Sequence, residues 1–168
     1  MQSICMIEGV NFDKYNPEED WNWKRIIQCP KAEMLNKCVG VYTFTLCDEP
    51  VYIGSSTNLL SRLQTHIMSI YRGYKYLQPR NFDLRKYYYL NKYIDKVKFQ
   101  VLDIYDNDIS KEQLEKHEYD FISIYNPIFN IRHKDGVRRW YGTEQDVDDF
   151  VNGISTIDNL KNRFNRTK

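Results

Sequence analysis

The sequence contains a glutamate whose position is unusual for its residue type. Glu118 follows Leu114 by four residues and precedes Ile122 by four, so it lies within the apolar stripe of a predicted helix. A carboxylate on a buried helix face costs free energy unless it is paired or bound to a metal ion. A glutamate at the edge of the stripe, reaching solvent or pairing with a basic side chain, would show the same spacing. Glu118 is therefore a candidate metal ligand with a structural alternative.

Two further pairs of side chains could handle a phosphate and a proton. Arg62 and His66 are four residues apart, which places them on one face of a predicted helix beside its apolar stripe. An arginine can hold a phosphate through two hydrogen bonds, and a histidine can transfer a proton near neutral pH. Tyr42 and Tyr52 lie on two predicted strands, and we expect both phenols on the same face. The alternatives are a solvent-facing pair for the first two residues and core packing for the tyrosines.

The elements that must position these residues follow from periodicity, caps and helix breakers. The patterns predict a hairpin of Val39–Leu46 and Val51–Gly54 with a turn at Cys47–Pro50, helices over Thr57–Tyr71 and Asp83–Ile94, a strand over Val97–Ile104, a helix from Ser110 to Tyr125, an extended stretch at Ile128–Ile131, and further helices over 17–28, 32–35, 143–152 and 156–164. The core order β-β-α-α-β-α predicts a small α+β domain whose three-stranded, mostly antiparallel sheet is flanked by helices. We place this domain at 38–132, between helical extensions at 1–37 and 133–168.

The candidate residues belong to an ordered set of motifs. Gly40-Val41-Tyr42 is followed, after nine residues, by Tyr52-Ile53-Gly54, and Ser55-Ser56-Thr57-Asn58-Leu59 leads into the first helix of the core. Arg62 stands ten residues after Tyr52, His66 follows four later, and Asn126-Pro127-Ile128-Phe129-Asn130 closes the set after Glu118. In this order and at these spacings, residues 39 to 132 resemble the GIY-YIG nuclease family, with Val41 in place of isoleucine.

The resemblance implies a reaction and a role for each residue. It implies hydrolysis of phosphodiester bonds in DNA with one divalent cation, Mg²⁺ or Mn²⁺, held by Glu118. Arg62 would neutralise charge on the phosphate, and Tyr42 would act as the base. Tyr52 would orient the water or the phosphate, and His66 would accept a proton from Tyr42 or bind the phosphate. The supporting residues would be Gly40, Gly54 and Asn130, the last of which would tie two backbone segments together.

Charge distribution indicates where DNA would lie. The formal net charge is only +1, but the stretch from Arg72 to Lys98 holds eight Lys and Arg residues against two Asp. A local excess of positive charge on a neutral protein fits a focused anionic ligand site, with a solvated helix face as the alternative. From this stretch we predict a DNA-binding surface of Lys75, Arg80, Arg85 and Lys86. Lys75 is also the nearest candidate for a second basic residue that some family members carry.

Composition argues against several other classes. No apolar run approaches the roughly 18 residues of a membrane span, and the N-terminus lacks the basic start and apolar core of a signal peptide. We therefore expect a cytoplasmic protein with no membrane partner. The four cysteines include no C-x-x-C pair and are expected to be reduced thiols. A zinc site of Cys29, Cys38 and Cys47 is the alternative, although its spacing matches no common zinc pattern.

The short extensions favour a particular kind of nuclease. Homing endonucleases of this family usually carry a long C-terminal DNA-binding region, whereas about 35 residues follow the core here. This favours a site-specific restriction-type or phage endonuclease, with a free-standing homing endonuclease as the first alternative. The second alternative is a non-catalytic nucleic-acid-binding module, which would be expected to have lost Glu118 or Arg62. Cleavage of both strands would need a homodimer, a higher homo-oligomer or sequential nicking.

Overall fold

The structure is a computed structural model that describes residues 7–8, 34–73, 82–130, 132–133, 136–137 and 142–164. Its strands are β1 (Ile7–Glu8), β2 (Val39–Leu46), β3 (Glu49–Ser56), β4 (Val97–Tyr105), β5 (Arg132–His133) and β6 (Gly136–Val137), and its helices are α1 (Leu59–Tyr71), α2 (Phe82–Lys92), α3 (Lys111–Tyr125), α4 (Glu144–Val151) and α5 (Ile157–Phe164). The helix predicted over 17–28 lies outside the described residues. None of the helices in the described ranges is both long and apolar enough to cross a membrane.

The main sheet is antiparallel and has the strand order β1-β4-β2-β3. Its three long strands and the helices around them confirm the predicted α+β class. The two-residue strand β1, which the sequence did not predict, pairs with β4 at one edge. The opposite edge is β3, which is paired only with β2 in this part of the chain. Because no further strand covers this edge in the described residues, side chains from the two faces of the sheet can approach each other around β3.

The hairpin turn is shorter than predicted. Leu46 pairs with Glu49, which leaves Cys47 and Asp48 as a two-residue loop with positive φ angles of 52° and 67°. This is the conformation of a type I′ turn, which matches the right-handed twist of the flanking strands but favours Asn and Gly. Neither residue here is Asn or Gly, which is why Glu49 and Pro50 were wrongly included in the predicted turn.

Helices cover both faces of the sheet. On one face α1 and α2 pack over a core that includes Phe44, Leu63, Leu90 and Phe99, and on the other face α3 packs over Val41 and its neighbours. Helix α1 begins two residues later than predicted because Asn58 is its N-cap, and its side chain accepts a hydrogen bond from the Ser61 N–H at 3.1 Å.

The C-terminal helices share the first of these cores. Val147, Phe150 and Leu160 are all buried and belong to the cluster beneath α1 and α2. An ion pair of 2.6 Å between Lys92 and Glu144 also joins α4 to α2. The segment predicted as an extension therefore buries apolar side chains against the domain.

Candidate active site

The candidate side chains come together where β3 ends beside α1. Tyr42 and Tyr52 project from the same face of the hairpin, as predicted, with ring centroids 6.4 Å apart. The imidazole of His66, from α1, packs against both rings at 5.4 and 5.6 Å. Glu118 arrives from α3 on the other face of the sheet and reaches the end of β3 through Ser55. The residues thus derive from three consecutive elements, β2, β3 and α1, and from α3, which is distant in sequence.

At one end of this cluster, successive hydrogen bonds link the side chains to one another. The Arg62 Nε–H donates to the Tyr42 hydroxyl at 3.2 Å, and that hydroxyl lies 2.6 Å from His66 Nε2. His66 Nδ1 lies 2.8 Å from the hydroxyl of Tyr87 on α2. Both imidazole nitrogens are therefore occupied within the protein. Of the two predicted roles for His66, this geometry favours proton exchange with Tyr42 over direct contact with phosphate.

Burial shifts the pKa values of the hydrogen-bonded residues Tyr42 and His66. Tyr42 is fully buried and His66 is only 2% exposed. Burial raises the pKa of Tyr42 well above its usual value; the nearby Tyr52 raises it further, and Arg62 opposes both effects. Burial, with the positive charges of Arg62 and Lys86, holds the pKa of His66 well below its usual value. At neutral pH His66 is a neutral imidazole with one nitrogen available to accept a proton.

Tyr52 differs from Tyr42 in its access to solvent. Its side chain is half-buried, its ring centroid lies 6.4 Å from that of Tyr42, and it is close enough to Arg62 to feel the charge of the guanidinium. Burial and the carboxylate of Glu118 raise the pKa of Tyr52, and Arg62 lowers it. Tyr52 is thus the phenol that lies between the protein surface and the buried hydrogen-bonded residues Tyr42 and His66.

Glu118 presents a half-buried carboxylate at the other end of the cluster. The Ser55 hydroxyl donates to Glu118 Oε2 at 2.5 Å. Burial raises the pKa of Glu118, while the hydrogen bonds from Ser55 and the charge of Arg62 lower it. A partly desolvated carboxylate is a hard oxygen ligand of the kind that Mg²⁺ and Mn²⁺ bind. The residues present therefore fit a divalent cation held by one carboxylate.

The predicted glycines are explained by close contacts. Gly54 pairs directly with Tyr42 across the hairpin, and a Cβ there would lie 2.5 Å from the Tyr42 hydroxyl oxygen. A Cβ at Gly40 would lie 2.4 Å from the carbonyl oxygen of Asp103 on β4. Only a residue without a side chain fits at either position. Gly54 in particular makes room for the ring of Tyr42.

Asn130 completes the free edge of β3. Its Oδ1 accepts the Ile53 N–H at 2.9 Å, and its Nδ2 donates to the Ile53 carbonyl oxygen at 2.8 Å. The Phe129 N–H donates to the Val51 carbonyl oxygen at 2.8 Å. These bonds replace those of a further strand, and the predicted extended stretch Ile128–Ile131 is wrong because residues 128–129 form a turn. Asn130 holds two segments together, as the resemblance implied.

The predicted DNA-binding residues divide into two groups. Lys75 and Arg80 lie outside the described residues. Arg85 and Lys86 lie on α2, and Lys86 Nζ is 4.7 Å from the ring centroids of both Tyr52 and Tyr87. Lys86 therefore places a positive charge beside the phenols of the candidate site.

Other lysines of the basic stretch are bound to carboxylates. Lys92 contacts Glu144 at 2.6 Å and Asp148 at 2.8 Å, and Lys98 contacts Asp48 at 2.6 Å. The positive charge counted along the sequence is thus partly neutralised in the fold.

Two residues of the cluster were missed by sequence reasoning. Ser55 lies in the quoted motif but had no assigned role, and Tyr87 is one of three consecutive tyrosines. No local pattern distinguishes Tyr87 from Tyr88, whose hydroxyl instead bonds Glu144 at 2.7 Å. Only the packing of α2 against α1 identifies it as the partner of His66.

The zinc alternative gains no support in the described ranges. Cys38 and Cys47 are free thiols there, and Cys29 lies outside them. Within these ranges no group of three or more His, Cys, Asp or Glu side chains could hold a metal ion.

Comparison with known proteins gives one family. Residues 38–133 match the model of the GIY-YIG catalytic domain. No curated protein is significantly similar in sequence. Crystal structures of two point mutants of the GIY-YIG N-terminal endonuclease domain of UvrC from Thermotoga maritima, each bound to its catalytic divalent cation, are similar to the chain at 20% identity with a TM-score of 0.38; the match covers 61% of this chain and 92% of each of those.

Proposed function

This chain belongs to the GIY-YIG family and is an endonuclease, and on that premise we propose that it cuts DNA by hydrolysis with a divalent cation bound at Glu118. The observation that carries the proposal is the convergence of Arg62, Tyr42, His66 and Glu118 at the end of β3. A cation-binding carboxylate, a phosphate-binding guanidinium and a proton acceptor are the groups that phosphodiester hydrolysis needs.

Glu118 would hold Mg²⁺ or Mn²⁺ together with water and a phosphate oxygen. Mg²⁺ keeps several waters and commonly uses one or two carboxylates, so one glutamate is sufficient. When bound, the ion supplies positive charge to the scissile phosphate and to the leaving 3′ oxygen. Ser55 fixes one carboxylate oxygen and so orients the other.

Arg62 would bind the phosphate that is cut. Its side chain is exposed, yet its Nε–H is held by the Tyr42 hydroxyl. The remaining N–H groups of the guanidinium can therefore meet a phosphate from solvent while one edge stays fixed. Such preorganised positive charge stabilises the negative charge that develops during hydrolysis.

The phenols and His66 would remove the proton of the attacking water. Because Tyr42 has no exposed surface, we propose that the proton crosses the half-buried Tyr52 hydroxyl. The Tyr52 oxygen takes up the proton of the attacking water as Tyr52 passes its own proton to Tyr42. Tyr42, which thus acts as the base through Tyr52, passes its proton to His66 Nε2. The imidazole becomes protonated, and the charge of the bound phosphate offsets the new positive charge.

A single-atom exchange tests the proposal. Glu118→Gln keeps shape but removes the anionic ligand, so cleavage of supercoiled plasmid in Mg²⁺ should fall by at least about 100-fold. Calorimetry should show weaker Mn²⁺ binding in the same variant. Glu115→Gln is the matched control, because Glu115 is exposed on the same helix. The proposal is wrong if Glu118→Gln cleaves like the wild type or if cleavage persists with chelator.

We propose that DNA crosses the surface formed by Arg62 and Lys86. Replacement of Lys86 by Gln should reduce the slope of log binding constant against log salt by about 0.9 if one phosphate contact is lost. Lys98→Gln removes the same charge from a lysine that already pairs with Asp48, and should leave the slope unchanged. Equal slopes for wild type and Lys86→Gln would exclude Lys86 from the DNA path. The predicted contacts of Lys75, Arg80 and Arg85 remain part of this proposal.

We favour a site-specific restriction-type or phage enzyme over a free-standing homing endonuclease. The support is that α4 and α5 bury apolar side chains in the core of the nuclease domain and do not form a separate unit within the described residues. Discrete fragments from mixed phage DNA would agree with this class, and a smear would contradict it. One site cuts one strand, so a homodimer is proposed for double-strand cleavage. Sedimentation of a strict monomer, with nicked products, would reject the dimer.

A further inference from the structure

Tyr87 touches the site from a helix that carries none of the family motifs quoted above. It lies on α2, is only 7% exposed, and places its hydroxyl 2.8 Å from His66 Nδ1. Its ring also packs against the imidazole at 5.8 Å. The contact spans 21 residues of sequence and is buried.

The hydrogen bonds around Tyr42 favour one donor-to-acceptor order in the series of hydrogen bonds from Arg62 to Tyr87. The Tyr42 oxygen accepts from Arg62, which leaves the Tyr42 proton to be donated. His66 Nε2 lies 2.6 Å from the Tyr42 hydroxyl and can accept this proton, in which case Nε2 itself carries none. A neutral imidazole has one donor and one acceptor, so Nδ1 carries the proton and donates to Tyr87. If the hydrogen bonds ran in the opposite order, His66 Nε2 would carry the proton, and both Arg62 and His66 would donate to the Tyr42 oxygen.

We propose that Tyr87 is a positioning residue that fixes the tautomer of His66, so that Nε2 is available to accept the proton of Tyr42. The hydroxyl of Tyr87 accepts the Nδ1–H, and Tyr87 neither contacts substrate nor exchanges a proton in the reaction. The imidazole is thereby held with its basic nitrogen towards β2. This role deepens the proposed function and rests on it for its effect on catalysis.

The charges around His66 support a neutral ring. Arg62 from α1 and Lys86 from α2 are the cations that act on it, and the groups packed against it from the sheet are Tyr42, Phe44 and Tyr52. Neither cation can accept a hydrogen bond. In the free protein a protonated imidazole would be buried near two positive charges, so the neutral tautomers are the relevant states before phosphate is bound.

Two-bond ¹H–¹⁵N correlation spectra of the full chain test the tautomer directly. The chain has three histidines, and His66→Gln identifies the signals of His66 by difference. We expect a protonated Nδ1 and an unprotonated Nε2 in the wild type at neutral pH. In Tyr87→Phe we expect signals of mixed tautomers, together with a fall of kcat by about tenfold or more at similar KM. Tyr88→Phe is the matched control and should change neither, because the Tyr88 hydroxyl bonds Glu144 instead.

Each outcome is decisive. The proposal would be overturned if His66 of the wild type were protonated at Nε2. This measurement uses the wild-type protein alone and does not depend on whether a variant folds. Unchanged His66 signals in Tyr87→Phe would also overturn it. Absence of DNA cleavage by a wild type protonated at Nδ1 would contradict the proposed function while supporting the positioning role.

Discussion

Replacement of Asn130 by Asp should destabilise the protein by an amount that grows with pH. The change exchanges the side-chain NH₂ group for an oxygen at a site that is 6% exposed. The Ile53 N–H keeps its acceptor, but the Ile53 carbonyl loses the Nδ2 donor that now lies 2.8 Å away. Two oxygens then face each other without a proton between them.

The size of the effect follows from these contacts. An unsatisfied buried acceptor costs about 1–3 kcal/mol, and the desolvated charge adds to it. We expect the free energy of unfolding to fall by about 3 kcal/mol near neutral pH. Protonation restores a donor, so the new carboxyl has a higher pKa in the folded than in the unfolded state. The deficit is therefore smallest below the unfolded pKa and increases by about 1.4 kcal/mol per pH unit until the folded pKa is passed.

Urea unfolding of wild type and variant between about pH 4.5 and about pH 7.5 measures this deficit. Asn58→Asp is the matched control, because Asn58 uses its Oδ1 as an N-cap acceptor and aspartate caps equally well. Its effect should stay within about 0.5 kcal/mol. A deficit for Asn130→Asp that is independent of pH, or no larger than that of the control, would refute the reasoning.

Three further changes probe the hairpin and the buried histidine. Gly54→Ala places a Cβ 2.5 Å from the Tyr42 oxygen and should cost about 1–3 kcal/mol in thermal unfolding and up to about 100-fold in kcat for plasmid cleavage; normal values of both would contradict the packing argument. Cys47→Asn, at φ 52°, should raise the free energy of unfolding in urea by about 0.5–1 kcal/mol, because asparagine tolerates this conformation; a lower urea midpoint would argue against it. Folding lowers the pKa of His66, so the unfolded chain takes up a proton at this residue first as the pH falls below about 6.5. The free energy of unfolding of the wild type should therefore fall more steeply than that of His66→Phe, by about 1.4 kcal/mol per pH unit, until the folded pKa is reached. Parallel pH profiles of the two proteins would exclude this.

Local sequence patterns predicted most of the elements and the faces of the site residues. Period-two alternation placed Tyr42 and Tyr52 on one face of the hairpin, and the four-residue spacing placed Arg62 and His66 on one face of a helix. These relations depend on backbone geometry within one element or one hairpin. They therefore survive in the fold largely as predicted.

The wrong predictions concern backbone groups that depend on distant partners. The stretch Ile128–Ile131 was predicted to be extended, but the edge of β3 is completed by the side chain of Asn130 and one backbone bond from Phe129. Periodicity cannot show that a side-chain amide replaces a strand. The turn at Cys47–Asp48 was misjudged because residue type favours positive φ angles there only weakly.

The sequence by itself determined the family, the α+β class and the chemical types gathered in the candidate site. The tertiary structure alone decided how they meet: that Glu118 reaches Ser55 across 63 residues, that Tyr87 rather than Tyr88 binds His66, and that Lys92 is bound by acids from α4. The physical reason is range. Spacing within a strand or helix follows from the repeat of its backbone, whereas contacts between elements follow from how whole surfaces pack.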